Sequence, residues 1–279
     1  MRKVIEPTVR GARRAMFTAL PTDRRVKGLG GSKGRGALQA RKLIAPLFQR
    51  PVTLVAPDGL RLRVTADPVD EQIAQHLLGP RRTEYFPAWP GVQPHAPCIL
   101  DLGAHHGLYA AAALHTYEAS RVICVEPSAA ALPALEANLA INGFQARARV
   151  VNTALASQSG DSTLRHTHEG TWGHSLFEDE DASIGSESVS LATLTDILQG
   201  DEPQIVKCNA EGAEYSLFDQ IEASRLRPLL MVVMVHPDFG DLDRLLGQAK
   251  AMGYRIVPGG TPDHPAFQMW HHTVDGTSA

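Results

Sequence analysis

Residues 98–107, with the sequence CILDLGAHHG, place an apolar run, an aspartate and two glycines directly before a helix-forming segment at 108–114. A strand, a glycine-bearing turn and a helix in this order are the opening unit of a nucleotide-binding α/β sheet. A second apolar segment, 121–126, ends in Glu126, which lies 19 residues after Gly107 (126 minus 107). This spacing suits a carboxylate that binds ribose hydroxyls. The sequence therefore predicts one half of a nucleotide-binding fold.

The composition of the turn indicates which nucleotide binds. A dinucleotide fold needs G-x-G-x-x-G for its pyrophosphate, but His105 and His106 replace the middle glycine here. Asp101, two residues before Gly103, instead suits a cationic ligand that lacks phosphate. S-adenosylmethionine is such a ligand, because it carries an amino group and a sulfonium. The alternative is a tight turn in an α/β protein that binds no ligand.

Length and composition predict a globular chain. The 279 residues are 43% hydrophobic and 20% charged, which suits one large α/β domain or one domain with a modest appendage. Cys98, Cys124 and Cys208 all fall in predicted strands, so we expect buried thiols rather than disulfides or a metal cluster. This favours a reducing cytoplasm. We expect neither a membrane helix, which needs roughly 20 apolar residues, nor a secretion signal.

Residues 1–50 form a basic N-terminal arm with 13 of the 27 Lys and Arg and two acids, a net charge of +11. The remaining 14 basic and 28 acidic residues give −14. Within the arm, a glycine-rich linker is predicted at 27–36 and a short helix at 37–48. The arm suits binding to nucleic acid or anionic membranes, a transit sequence, or packing against its own or a partner subunit, as in a homo-oligomer. Nucleic acid is disfavoured because no DNA- or RNA-binding motif accompanies the charge.

Residues 51–96 are predicted to form an extension before the main domain, which we assign to 97–279. The turn signal at 57–59 lies between two strand-like segments and predicts a β-hairpin in the extension. In the main domain, Ser128 is expected to N-cap the helix after Glu126. The other predicted elements are strands at 53–55, 60–64, 148–152, 204–209, 229–235, 254–257 and 267–271, helices at 70–78, 129–141, 210–218 and 238–252, and a short segment at 83–86.

The polar segment 157–187 is rich in glycine, serine, histidine and acids. It predicts a hairpin or loop insertion beside the ligand cleft rather than a crossover helix. His166 and His168 would point to one face of a strand, as metal ligands do, but neither His174 nor an acid nearby gives a third ligand of clear spacing. We therefore predict solvated loop histidines and no metal.

The second half of the chain brings further chemistry to the same sheet edge. The strands at 204–209 and 229–235 end close to Glu211 and His236, and ligands of open α/β sheets bind at the carboxyl ends of strands. The last two strands leave no room for a crossover helix, so they are expected to form a terminal antiparallel pair. This layout is typical of class I methyltransferases rather than dehydrogenases. We therefore predict an α/β, Rossmann-like doubly wound sheet.

The chain resembles the FkbM family of S-adenosylmethionine-dependent methyltransferases from about Pro51 to its end. The resemblance implies O-methylation of hydroxyls on sugars, polyketides and other secondary metabolites, with a small-molecule or glycan acceptor as partner. The basic arm lies outside the region of resemblance. The matching residues are Ile99 to Ala104 with Gly107, Val125-Glu126-Pro127, Leu135, Asn138, Asn142-Gly143, Lys207 and Glu211-Gly212-Ala213-Glu214.

The motifs and the resemblance together assign the candidate cofactor site. Two positions depart from the family, which usually has an aspartate at Asn209 and a glutamate at Met234. Because of these departures, a degenerate protein that binds the cofactor without catalysing a reaction is one alternative. Because of the basic arm, a methyltransferase that interacts with nucleic acid is another. The predicted cofactor-binding residues are Glu84, Asp101, Gly103, Ala104, His105, Gly107, Glu126, Pro127 and Asn209.

Three residues are candidates for catalysis. Methyl transfer is an in-line displacement, so the protein must align the acceptor oxygen, and an alcohol must also lose its proton. His236 is the first choice as base because an imidazole titrates near the working pH, and Glu211 is the second. Asn209 would lie beside them. The structural alternatives are a strand-end histidine that caps backbone groups and an acid that favours a helix dipole.

We expect Glu126 to lie at the open end of its strand, to meet solvent without cofactor and to have no buried partner. Glu126→Gln should then weaken cofactor binding and leave folding unchanged.

Overall fold

The structure is a computed structural model that describes residues 24–25, 51–65, 67–166, 176, 185–260 and 265–275. The predicted linker and helix of the basic arm lie outside the described residues. So do His168 and His174 of the predicted insertion.

The described residues form strands and α-helices, with short 3₁₀ turns at Gln145–Arg147, Pro237–Phe239 and His272–Asp275. The strands are β1 (Arg24–Arg25), β2 (Val52–Val55), β3 (Arg61–Val64), β4 (Cys98–Leu102), β5 (Arg121–Val125), β6 (Ala148–Val151), β7 (Ala154–Leu155), β8 (Gly160–His166), β9 (Gly185–Ala192), β10 (Ile205–Cys208), β11 (Leu230–Met234), β12 (Tyr254–Gly260) and β13 (Pro265–His271). The α-helices are α1 (Pro68–Leu78), α2 (Arg82–Tyr85), α3 (Leu108–Thr116), α4 (Leu132–Ala140), α5 (Leu194–Leu198), α6 (Ala213–Ser224) and α7 (Leu242–Ala251).

A seven-stranded sheet in the order β12-β13-β11-β10-β4-β5-β6 forms the centre of the fold. The strands from β11 to β6 are parallel, and β13 runs antiparallel between β11 and β12. This confirms the predicted Rossmann-like class I methyltransferase sheet with its terminal antiparallel pair. Because β4 lies between β10 and β5, the turns after these three strands meet at one edge.

Helices cover both faces of this sheet. On one face, α3 and α4 pack with α1 and with the β2–β3 hairpin that the sequence predicted. On the other face lie α5, α6 and α7. Helix α3 is buried from Leu108 to Leu114, as expected for a helix that is apolar all round. Its four alanines let the hairpin and α1 approach closely, so the extension shares one core with the main domain.

Asn138 of α4 and Asn142, two residues after the end of α4, explain why the hairpin docks where it does. Asn138 accepts from the backbone N–H of Arg63 at 2.6 Å, and its amide donates to the carbonyl of Arg63 at 2.9 Å. Asn142 makes the same pair of bonds with the backbone of Arg61. The side chains thus act on β3 as a neighbouring strand would. The amide of Asn138 also donates to the carbonyl of His106, which ties the hairpin to the turn after β4.

Helix α6 begins at Ala213 rather than at residue 210. The structure also corrects the predicted starts of α4 and α7. Helix α4 begins at Leu132 rather than at residue 129, and Ser128 makes no side-chain cap to it. The segment after β11 is a 3₁₀ turn, and α7 begins only at Leu242, with Asp241 as the N-cap that accepts from the N–H of Arg244. Pro133 and Pro237 lie near the predicted starts of α4 and α7. Proline favours the first turn of a helix but does not specify which residue begins it.

The predicted insertion is an antiparallel hairpin of β8 and β9 within the described residues. The two arginines of β1 pair in parallel with β2, so a short part of the basic arm adds a strand to the hairpin sheet. All three cysteines are buried and free, as predicted. None of the helices in the described ranges is long and apolar enough to span a bilayer.

Candidate active site

A cleft opens at the carboxyl ends of β4, β5 and β10 and holds about 1150 Å³ of non-protein space, including its open mouth. The backbone turns after these strands form its floor, while α1 and the hairpin insertion add apolar side chains. The predicted site residues that line it are Gly103, Ala104, His105, Glu126, Pro127, Asn209 and Glu211. The described lining does not include Glu84, Asp101, Gly107 or His236.

The turn after β4 can form only because glycine stands at position 103. Gly103 has a φ of +70°, and a Cβ there would lie 1.9 Å from the carbonyl oxygen of Asn209. The N–H groups of Gly103 and Ala104 both donate to the carbonyl of Val125 at 3.0 Å. Gly107, at φ +71°, then begins α3 behind the cleft, where a Cβ would lie 3.0 Å from Leu135. The turn therefore brings backbone close to any ligand in the cleft.

Asp101 lies beneath this turn rather than in the cleft. It is fully buried, and its Oδ1 faces the Nζ of Lys207 at 2.9 Å, because the two residues are register partners in β4 and β10. The ammonium also donates to the carbonyl of Gly103 at 2.7 Å. Burial opposes the charge on Lys207, but Asp101 raises its pKa, so the lysine stays charged. The cation beside Asp101 is thus Lys207, and the pair supports the turn from below.

Glu126 corrects the expectation of a solvated carboxylate without partners. Its exposed fraction is only 6%, its Oε2 accepts from the N–H of His105 at 2.7 Å, and its Oε1 accepts from the N–H of Ser128 at 2.9 Å. Glu126→Gln is therefore expected to lower stability as well as cofactor binding, because an amide cannot accept both bonds and would leave one buried donor unpaired. Burial raises the pKa of Glu126 to about 7, although both N–H groups oppose this.

This raised pKa predicts a pH dependence of cofactor binding. Hydroxyl donors favour the ionised carboxylate, so binding must release the proton that Glu126 holds below pH 7. We expect the affinity for S-adenosylhomocysteine, measured by calorimetric titration, to fall as the pH drops from 8 to 6, approaching about tenfold per unit below the pKa. Glu126→Gln should bind more weakly at pH 8 and lose this part of the pH dependence. Equal pH profiles for the two proteins would contradict the ribose assignment.

Asn209 provides a second test of whether the cleft fits the cofactor. It lines the cleft, and its Oδ1 is buried without a hydrogen-bond partner among the described residues. A buried acceptor is costly when unpaired, so a donor from a bound ligand would satisfy it. The amino group of S-adenosylmethionine is such a donor. The residues present therefore fit this cofactor.

The third predicted group, Glu211 and His236, forms a chain with a residue whose role the sequence did not indicate. The Nε2 of His236 lies 3.3 Å from the Oε2 of Glu211, and its Nδ1 lies 3.0 Å from the Oε1 of Glu214. Glu214 is fully buried and also accepts from the N–H groups of His236 and Gly212, at 2.6 and 2.9 Å. It thereby joins the turns after β10 and β11 and fixes the imidazole ring.

The geometry ranks these residues differently from the sequence. Glu211 lines the cleft, whereas His236 lies behind it. Burial opposes a charge on His236, but the hydrogen bond to Glu214 and the charges of Glu211 and Glu214 raise its pKa. Both ring nitrogens of His236 face carboxylates, those of Glu211 and Glu214, and only Glu211 of the two candidate bases lines the cleft, so Glu211 is the better-placed base. Glu211 also has a φ of +46°, a conformation that costs free energy in a non-glycine residue.

Near α2, the structure brings Tyr85 rather than Glu84 to the cleft. The carboxylate of Glu84 binds the guanidinium of Arg81 through two bonds of 2.6 and 2.7 Å. Only its backbone faces the sheet, where its carbonyl accepts from Gln268 of β13 at 3.1 Å. Glu84 therefore anchors the end of α2.

Sequence reasoning gave no role to three buried charged residues beside the site, Asp70, Lys207 and Glu214. Lys207 and Glu214 carried a usable signal, since a lysine inside an apolar strand and an acid in the first turn of a buried helix face both need partners. Asp70 carried none, because its side-chain partner His106 lies 36 residues further along the chain.

The sequence model of the Methyltransferase FkbM domain family matches residues 101–256, more than half of the chain. The chain belongs to this methyltransferase family. Its cofactor is S-adenosylmethionine, as predicted from the motifs. No curated protein matches the sequence.

Several solved methyltransferase structures align with part of this chain. The precorrin-6y C5,15-methyltransferase of Geobacter metallireducens is 12% identical, with 68% of this chain and 87% of that one covered at a TM-score of 0.43. The ribosomal protein L11 methylase of Lactobacillus delbrueckii is 16% identical, with coverage of 68% and 77% and a TM-score of 0.40. TrmK of M. capricolum, bound to S-adenosylhomocysteine, is 9% identical, with 70% of this chain and 68% of that one covered at a TM-score of 0.42.

Proposed function

We propose that this FkbM-family protein transfers the methyl group of S-adenosylmethionine to a hydroxyl of a small-molecule or glycan acceptor. One observation carries the proposal: Glu211 presents a carboxylate to the cleft and is backed by His236 at 3.3 Å. An alcohol of high pKa must lose its proton as the new bond forms, whereas a neutral amine attacks through a free lone pair. A carboxylate held at the cleft wall therefore favours a hydroxyl acceptor.

Different residues of the cleft would bind different parts of the cofactor and of the acceptor. Glu126 would hold the ribose hydroxyls, and Asn209 together with the backbone of the Gly103 turn would hold the amino acid portion. The bound cofactor supplies an electrophilic methyl carbon. Glu211 would orient the acceptor hydroxyl and take its proton, while His236 holds Glu211 in place.

The apolar part of the cleft supports an acceptor with a hydrocarbon framework, as in polyketide-type metabolites. Aliphatic side chains from α1, β7 and the insertion contribute this surface, and burial of apolar area favours such a ligand. They are Val69, Ile73, Leu155, Leu164 and Leu176. A role in secondary metabolism, a cytoplasmic location and a homo-oligomer formed through the basic arm stay predictions, as does the lack of nucleic-acid binding.

Glu211→Gln is the variant that tests the proposal. With alcohols, glycosides and matched amines as acceptors, we expect formation of S-adenosylhomocysteine only with hydroxyl compounds. The variant should lower kcat by about 10²- to 10⁴-fold, the usual contribution of a general base. Its calorimetric affinity for S-adenosylhomocysteine should stay unchanged. Glu136→Gln, on the exposed face of α4, is the matched control and should keep full activity.

Two results would count against this function. Methylation of amines with no turnover of alcohols would make the protein an N-methyltransferase. Tight cofactor binding without turnover of any acceptor would favour the degenerate binder, for which the absence of carboxylates at Asn209 and Met234 is the supporting observation.

A further inference from the structure

Three potential metal ligands meet beside the turn after β4. They are Asp70 of α1 and the consecutive residues His105 and His106, whose ligand atoms all lie within 4.8 Å of one another. The Nδ1 of His106 lies 2.8 Å from the Oδ1 of Asp70, and the Nδ1 of His105 lies 3.6 Å from the same oxygen. The two imidazole rings stack with centroids 3.7 Å apart, so both Nδ1 atoms face one carboxylate.

We propose that Asp70, His105 and His106 bind one first-row divalent cation such as Zn²⁺. Two imidazole nitrogens and one carboxylate oxygen suit Zn²⁺ and its neighbours, whereas Mg²⁺ and Ca²⁺ favour oxygen ligands alone. Three protein ligands leave a coordination position open. Both histidines line the cleft and Asp70 is fully buried, so the open position faces the cleft. Water or an oxygen of a bound ligand would occupy it.

The spacing of the ligand atoms requires only a small adjustment. With Zn–ligand distances of about 2.0–2.1 Å, neighbouring ligands of a tetrahedral site lie roughly 3.3 Å apart. The 3.6 Å between His105 and Asp70 is close to this value. The 2.8 Å between His106 and Asp70 is a hydrogen-bond distance and would have to lengthen by roughly 0.5 Å on metal binding.

The neighbours of these ligands hold them in position in advance. The Oδ2 of Asp70 accepts from the backbone N–H of Thr65 at 2.8 Å, which fixes the carboxylate. The carbonyl of His106 accepts from the amide of Asn138 at 2.8 Å, which fixes the backbone directly after His106. Such outer partners orient metal ligands and raise affinity. A metal here would join α1 to the cofactor turn, and its binding does not depend on which acceptor the enzyme methylates.

The test is a titration of the full-length, tag-free chain with Zn²⁺ after treatment with EDTA and its removal. We expect one Zn²⁺ per chain by calorimetry and a visible absorption band when Co²⁺ replaces it. Asp70→Asn and His105→Gln should each lower the affinity for Zn²⁺ by at least about 10- to 100-fold, because the loss of a hydrogen-bond partner of a metal ligand alone has an effect of this size. His115→Gln, which disrupts another His–carboxylate pair with Asp58 at 3.4 Å, should bind as the wild type does.

His105→Gln distinguishes the metal site from a simple hydrogen bond, because it leaves the Asp70–His106 pair intact. Thermal unfolding without metal checks that each variant folds, and Zn²⁺ should raise the Tm of the wild type but not of these two variants. Absence of Zn²⁺ binding by the wild type would overturn the proposal. So would binding that both variants retain, since the metal would then lie elsewhere.

Discussion

Gly103→Ala is expected to lower the free energy of unfolding by about 2–5 kcal/mol, combining about 1–2 kcal/mol for a left-handed non-glycine residue with about 1–3 kcal/mol for overpacking. The Cβ would lie 1.9 Å from the carbonyl oxygen of Asn209, an approach that neither backbone can tolerate. Relief of the clash must move the turn after β4 away from the turn after β10. Cofactor binding should therefore be lost together with stability. Urea denaturation and calorimetric titration measure the two effects.

Gly143→Ala provides a matched control. Gly143 has the same φ of +70°, but a Cβ there meets no atom within 4 Å. Its cost should therefore be only the backbone part, about 1–2 kcal/mol, and cofactor affinity should be unchanged. Equal losses of stability in the two variants would show that the left-handed backbone conformation, and not the close approach to Asn209, is the reason why position 103 requires glycine.

The sheet could be predicted because its signals are local. Apolar runs such as the one at 98–102 and the glycine turn after it specify strand, turn and helix from adjacent residues. The proximity of the strand ends then follows from the topology of a parallel sheet. Prediction was weaker at the helix starts after Glu126 and His236, where Ser128 and Asp238 are as suitable for turns as for helix N-termini.

The roles of the charged residues could not be predicted in the same way, because they depend on distant partners. Glu126 was expected to meet solvent, yet its burial results from the turn of His105 folding back over it. Likewise, the sequence ranks His236 above Glu211 from intrinsic pKa alone. In the structure, the buried carboxylate of Glu214 on α6 orients the imidazole, and Glu211 lines the cleft.

Lys207→Met is expected to lower the free energy of unfolding by about 3–5 kcal/mol at pH 8, because it leaves the fully buried carboxylate of Asp101 without its counter-charge. The turn after β4 also loses the ammonium that donates to the carbonyl of Gly103. Lys250→Met, at an exposed position of α7, changes the same atoms without a buried partner and should cost little. Urea denaturation of both variants gives the comparison.

The pH dependence and a double variant separate the charge from the lost contacts. Burial raises the pKa of Asp101 and Lys207 opposes this, so removal of the lysine raises the folded-state pKa further above the unfolded one. The folded variant then binds more protons than the unfolded chain, and its stability falls as the pH rises. We therefore expect Lys207→Met to be closer to the wild type at pH 5 than at pH 8. Adding Asp101→Asn should restore part of the loss at pH 8, because no charge is then buried. A deficit that is the same at both pH values, and that Asp101→Asn does not reduce, would mean that Lys207 supports the turn through its hydrogen bonds alone.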